Sequence, residues 1–266
     1  MRSVFITGSA QGIGHETARV LIEAGHRVVA HARDERRAAQ VRASLPGAAA
    51  VLTGDLASLE GTRALAAQVT AAGPFDAVVH NAGVGGGASR REVTADGLGR
   101  IFQVNVVAPY LLTALCPRPA RLVYLTSGLE SAGRLDFDDL TLEKREWDGM
   151  RAYADSKLMD VVLAFAVARR WPDAVVNAVD PGWVRTRLGG PDATDALPDG
   201  AGTPVWLAVS DEPEALVTGR YLKHRVSLRA NPAAYDPEVQ ERLLEVLGGI
   251  TGETVAGDAA GGLATS

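Results

Sequence analysis

Thr7-Gly8-Ser9-Ala10-Gln11-Gly12-Ile13-Gly14 follows directly on the apolar run Ser3-Val4-Phe5-Ile6 and opens into a helical pattern that recurs through Val20, Leu21 and Ala24. Glycines allow a tight turn and a close approach of backbone to a ligand. The helix behind them presents unpaired N–H groups and the positive end of its dipole. The pyrophosphate of a dinucleotide fits such a place. A chain with 29 glycines also produces tight turns that bind nothing, so the strand-turn-helix context carries the reading more than the glycines do.

Working outward, short β-branched runs at 3–7, 27–31, 49–53, 76–79, 121–126 and 174–179 alternate with longer helical patterns. That alternation predicts parallel strands joined by helices. Phe75-Asp76-Ala77-Val78-Val79 and Leu122-Val123-Tyr124-Leu125 are nearly continuous in apolar residues, as strands covered on both faces are. The expected fold is therefore α/β: a Rossmann-like, doubly wound parallel sheet in three layers, forming a single domain over residues 1–256. The Gly-, Pro- and Asp-rich stretch 185–203 is expected to be a lid. The tail 257–266, with little to bury, is expected to be disordered.

Composition narrows the function. A formal net charge of -5 without a block of Lys and Arg excludes a nucleic-acid partner. The single cysteine, Cys116, precludes an intrachain disulfide or a Cys-based metal cluster and suits a reducing cytoplasm. The five histidines make no metal-ligand spacing, so no metal is expected. No apolar run reaches the roughly 18 residues of a membrane span, and the first strand starts too early for a secretion signal. A soluble cytoplasmic protein acting on a small molecule is the expectation.

The spacing Thr-Gly-x-x-x-Gly-x-Gly resembles the signature of the short-chain dehydrogenase/reductase family, and further matches follow in order through about residue 225. Asp55-Leu56 resembles the family's adenine contact. Asn81-Ala82-Gly83 resembles its Asn-Asn-Ala-Gly turn, with His80 replacing the first Asn. Pro181-Gly182-Trp183-Val184-Arg185-Thr186 resembles the segment that contacts the nicotinamide carboxamide. The resemblance thus implies a cofactor site of Gly8, Ser9, Gln11, Gly12, Ile13, Gly14, Asp55, Leu56, Asn81, Ala82, Gly83, Pro181, Gly182, Val184 and Thr186. Cofactor choice is made about 20 residues beyond the glycines, where an acid selects NAD and an Arg accommodates the NADP phosphate. His31-Ala32-Arg33-Asp34 stands there; Arg33 favours NADP (NADPH), and Asp34 keeps NAD open.

Tyr153-Ala154-Asp155-Ser156-Lys157 opens a long apolar helix and places Tyr153 and Lys157 on one face. Alone, that spacing more often marks an ordinary partly exposed face. After a dinucleotide fold it resembles the family's catalytic motif. A phenol, with an ordinary pKa of about 10, carries protons at neutral pH only when positive charge stabilises its phenolate, and Lys157 provides that charge. By resemblance, Lys157 also binds the nicotinamide ribose, Ser127 polarises the substrate oxygen and Asn105 holds a water in the proton relay. The interval from Ser127 to Tyr153, with the ending 219–224, is similar to the retinol-dehydrogenase-like branch, which handles apolar alcohols and aldehydes. The implied activity is hydride transfer between NADP(H) and a carbonyl or alcohol carbon. A non-catalytic NADP-sensing regulator and a C=C reductase are the alternatives; keeping Asn105, Ser127, Tyr153 and Lys157 together favours catalysis. Residues 158–168, apolar nearly all round, further suggest a homodimer or tetramer.

Overall fold

The computed structural model describes residues 1–85 and 87–257. The strands are β1 (Ser3–Ile6), β2 (Arg27–Ala32), β3 (Ala50–Thr53), β4 (Ala77–His80), β5 (Arg121–Leu125), β6 (Val175–Asp180), β7 (Arg220–Lys223) and β8 (Val226–Leu228). The principal helices are α1 (Gly12–Glu23), α2 (Glu35–Ser44), α3 (Leu59–Ala72), α4 (Arg100–Phe102), α5 (Ala108–Leu115), α6 (Gly149–Arg170), α7 (Leu197–Val209) and α8 (Pro237–Thr251). The strands form one sheet in the order β3-β2-β1-β4-β5-β6-β7-β8. All neighbours are parallel except β7 and β8. Winding outward from β1 in both directions leaves a crevice beyond the carboxyl ends of β1 and β4, where open α/β sheets bind ligands.

Alternation along each strand sorts the apolar side chains into two cores. Phe5, Val29, Val78, Leu122 and Tyr124 face one layer with residues of α3, α5, α6 and α8. Val4, Ile6, Val28, Ala30, Val79 and Val123 face the other with residues of α1, α2 and α7. Helix starts are fixed by side-chain caps: Asp34 accepts from Arg37 N at 2.8 Å, Ser58 from Gly61 N at 3.2 Å and Asp148 from Arg151 N at 3.0 Å. Each such cap is worth about 1 kcal/mol. The single-domain, doubly wound sheet agrees with the sequence reading.

Three details differ from it. Two strands lie beyond the expected six, β7 and β8 forming a terminal hairpin. The loop after β6 is shorter than the expected 185–203, because α7 starts at Leu197 and buries Gly200, Ala201 and Thr203. The loop's two ends are joined, Arg185 N donating to Asp195 O and Asp195 N to Trp183 O, each at 2.9 Å. Most of the tail, 258–266, lies outside the described residues.

The third difference concerns α6, whose residues 158–168 are all buried within one chain. Its face away from the sheet lies under the C-terminal segment. Phe165 and Tyr235 rings pack with centroids 5.2 Å apart, Trp171 Nε1 donates to Ala256 O at 2.7 Å, and Arg170 Nη1 donates to Val255 O at 2.8 Å. The apolar surface that suggested a homodimer is thereby covered by the chain itself. Among the described residues, no helix is long and apolar enough to cross a membrane.

Candidate active site

A cavity of about 840 Å³ opens along the carboxyl ends of the strands. Its walls include Gly8, Gln11, Gly12, Ile13, Arg33, Asp55, Leu56, Asn81, Ala82, Gly83, Tyr153, Lys157, Pro181 and Thr186. Residues nearly 180 apart in sequence meet here because β1, β2, β4, β5 and β6 all end on this side of the sheet.

The turn after β1 is held from two directions. Thr7 Oγ1 accepts from Asn81 N at 2.9 Å and Ala82 N at 3.0 Å, while Asn81 Nδ2 donates to Thr7 O at 2.8 Å. On the other side Gly8 N donates to His31 Nδ1 at 3.0 Å, and His31 Nε2 bonds the Gly54 carbonyl at 2.9 Å. Burial drives the His31 ring down to about 4, which keeps it neutral and suited to accept through Nδ1. Gly8 has φ +69°, a conformation glycine adopts without strain. Gly14 is required by packing: a Cβ there would lie 2.7 Å from Gly8 O and collide with Asn81 Nδ2. Gly12 faces Thr186, whose Cγ2 would be 3.4 Å from an added Cβ, so the missing side chain leaves a cradle between the turn and the loop after β6.

Several residues assigned to the cofactor are not on the cavity wall. Ser9 is wholly buried; its N–H donates to His31 O at 2.9 Å and its hydroxyl to Ile6 O at 2.7 Å. It shapes the turn from behind, as Gly14 does. Gly182 N donates to Asp180 Oδ1 at 2.9 Å, and Val184 is buried against the loop end at Asp195. At the adenine end Arg33 is joined on the wall by Arg37, a residue the sequence reading did not single out. Asp34 is engaged elsewhere, capping α2 and accepting from Arg33 Nε at 3.3 Å. The Arg37 N–H holds its carboxyl below the usual range.

At the chemical end, Tyr153 and Lys157 both reach the wall from the first turns of α6, with Lys157 Nζ 5.8 Å from the Tyr153 ring centroid. The ammonium is buried and donates to Leu125 O at 2.9 Å and to Asp160 Oδ2 at 2.8 Å. Burial works against the Lys157 charge, but Asp160 and Tyr153 outweigh it and raise its pKa. Burial also pushes Asp160 up to about 6, opposed by Lys157. Asp160 was missed from sequence, although an acid three residues after Lys157 in an otherwise apolar run was the available signal. Thr126 is structural, its hydroxyl donating to Lys157 O at 2.7 Å.

Ser127 and Asn105 lie off the cavity wall. Ser127 lies two residues beyond β5, at the start of a short helical turn, and accepts from Leu129 N at 3.3 Å, leaving its hydroxyl proton available. Asn105 sits in a π-helical stretch, Gln103–Val107, that joins α4 to α5. Its side chain is buried and paired with both backbone groups of Val84, Oδ1 accepting at 2.8 Å and Nδ2 donating at 3.1 Å. Nδ2 also reaches Ser156 Oγ at 2.9 Å. The amide thus ties the strand-end loop to α6 instead of standing free in the cavity.

A doubly wound sheet whose switch-point groove carries a glycine turn at one end and a Tyr–Lys pair at the other defines a dinucleotide-binding oxidoreductase. A short chain dehydrogenase family model matches residues 2–196. An uncharacterised oxidoreductase of Emericella nidulans is 41% identical over 97% of this chain and 100% of its own. Human retinol dehydrogenase 13 is 31% identical over 91% of this chain and 82% of its own. Among solved structures, a blue fluorescent protein from a metagenomic library in complex with NADPH superposes with TM-score 0.67 and 25% identity, covering 84% of this chain and 95% of its own. The chain belongs to the short-chain dehydrogenase/reductase family of oxidoreductases, in its retinol-dehydrogenase-like branch.

Proposed function

We propose that the chain is a cytoplasmic NADP(H)-dependent carbonyl reductase or alcohol dehydrogenase acting on a small, apolar substrate. The observation that carries this reading is the placement of Tyr153 and Lys157 on the wall of the same groove that begins at Gly8 and Gly12. Arg33 and Arg37 at the adenine end support NADP over NAD, since guanidinium groups pair well with a phosphate. The engagement of Asp34 in capping α2 supports the same choice. The solved relative that holds NADPH is consistent with it. Val84, Val104, Leu188 and Leu197 add apolar side chains to the groove wall.

NADPH, when bound, supplies the hydride. The chain's residues handle the substrate oxygen and its proton. In reduction the Tyr153 phenol donates its proton to that oxygen as negative charge develops there; in oxidation its phenolate takes the alcohol proton. Lys157 stabilises the phenolate by its charge and, as the family resemblance implies, would hold the cofactor ribose. Ser127, next in sequence to Thr126 on the wall, would turn its free hydroxyl proton to the same oxygen once substrate is bound. Asn105 serves by fixing the Val84 loop against α6, which sets the depth of the groove.

A panel of aldehydes, ketones and alcohols, with consumption of NADPH and NADH followed directly, tests this. Turnover is expected on apolar carbonyls with NADPH preferred. Arg33→Asp should lower NADPH affinity by about tenfold or more while sparing NADH, because it removes a charge-assisted phosphate bond worth about 1.5–3 kcal/mol. Equal affinities for the two cofactors in the parent protein would move the assignment to NAD or dual use. Cofactor binding without turnover across the panel would favour the sensing alternative.

A further inference from the structure

Resting on the reading of Tyr153 as proton carrier, we propose that Asp160 is a positioning residue for the Tyr153–Lys157 pair: it holds the Lys157 ammonium in place, and its negative charge sets the acidity of Tyr153.

The geometry makes Asp160 an unusual residue in its surroundings. It is 2% exposed, in a helix stretch whose other residues from 158 to 168 are apolar, and its carboxylate lies 2.8 Å from Lys157 Nζ. A buried carboxylate needs a partner, and Lys157 is the cation bonded to it. Of the other titratable groups, Tyr124 on β5 feels the Asp160 charge, Tyr153 on the same helix acts on Lys157, and His80 on β4 packs against Tyr124 with the rings tilted and their centroids 4.9 Å apart. Tyr124 is bonded to Thr113, and burial keeps His80 neutral. Asn105 and Thr113, from the π-helical stretch and α5, carry no charge.

Two consequences follow from this arrangement. Lys157 is anchored by two bonds, to Leu125 O and Asp160, and a third N–H is left for the groove side where Tyr153 lies. Paired with Asp160, the ammonium is part of a neutral unit. Ionising Tyr153 then creates a net negative charge among buried groups. Without the Asp160 charge the same step would run from net positive to neutral and occur at lower pH, whichever member of the coupled pair releases the proton. Asp160 follows Tyr153 by seven residues on α6, about 10 Å of helix rise, and at such a separation a unit charge in a medium of effective dielectric constant about 20 moves a titration by roughly one pH unit.

Tyrosinate ultraviolet absorbance, titrated in the cofactor-free protein, tests this without any substrate. The chain has five tyrosines, so the Tyr153 signal is obtained by subtracting the matching Tyr153→Phe protein in each background. In Asp160→Asn, which keeps an acceptor and removes the charge, the Tyr153 midpoint should fall by about one pH unit. Asp160→Glu should stay close to the parent. Equal midpoints in Asp160→Asn and the parent would overturn the proposal, as would a lowered melting temperature with no change in midpoint, the mark of a purely structural ion pair. Should Asp160→Asn not fold, Asp160→Ser, which is smaller and still offers Lys157 a hydrogen-bond acceptor, takes its place: its Tyr153 midpoint should fall likewise, and a midpoint equal to the parent's would overturn the proposal. If Tyr153→Phe retained turnover, the catalytic reading would fail while these titrations still reported on the charge.

Discussion

The His31 imidazole can meet both of its partners only when it is neutral, because Nδ1 accepts the Gly8 N–H while Nε2 donates to the Gly54 carbonyl. Its pKa is about 4 in the folded chain against 6.5 when free. Between those values the unfolded chain binds the extra proton, so the contribution of His31 to stability is intact above pH 6.5 and is lost as pH falls towards 4. The difference corresponds to roughly 3 kcal/mol. His31→Asn, whose side-chain oxygen still accepts from Gly8, should lack that loss. Denaturant titrations at a series of pH values should show the parent losing stability relative to the variant over this window, and parallel curves would contradict the assignment. At this scale the sequence was legible where chemistry has a linear spacing: Tyr153 and Lys157 lie one turn apart, and Gly8, Gly12 and Gly14 share one turn. It was not legible for His31, Arg37 or the hydroxyl of Ser9, whose roles depend on partners supplied by other strands and helices.

Among the elements, the approach of α1 to the β4 turn depends on one missing side chain. An added Cβ at Gly14 meets the Gly8 carbonyl and the Asn81 amide, both of which belong to the network holding the cofactor turn. Gly14→Ala should therefore cost roughly 1–3 kcal/mol of stability and weaken NADPH binding together with it. A variant with parental melting temperature and affinity would show that α1 can move without disturbing the turn. Five of the six strands found from sequence are largely buried, with nearly continuous apolar runs, and the sixth, β3, is a half-buried edge strand whose apolar Ala50, Val51 and Leu52 still mark it. β7 and β8 escaped because they are short and carry Arg220, Lys223 and Ser227. The start of α7 was obscured by Pro198, Gly200, Gly202 and Pro204, residues of low helix propensity. Packing of Ala201, Trp206, Leu207 and Ala208 overrides that propensity.

Over the whole molecule, the C-terminal segment crosses the outer face that the apolar periodicity of α6 seemed to leave open. Tyr110 on α5 donates to Glu253 O at 2.7 Å, Arg63 on α3 pairs with Glu253 at 2.5 Å, and Arg169 and Arg170 on α6 pair with Glu241 on α8. Periodicity revealed that α6 is buried on all sides but not by what. With this face covered, any self-association must use another surface, and a dimer abolished by substitutions on the outer face of α6 would contradict that packing. The same overall winding brings residues 8 and 157 to one groove, on which the functional account rests. Its most direct test is the turnover of Tyr153→Phe on a carbonyl substrate found with NADPH, since this change removes one hydroxyl and leaves the ring. The account predicts that kcat falls by at least about 10²-fold while NADPH affinity stays near the parental value; near-parental turnover would contradict the assignment of Tyr153 as the proton donor.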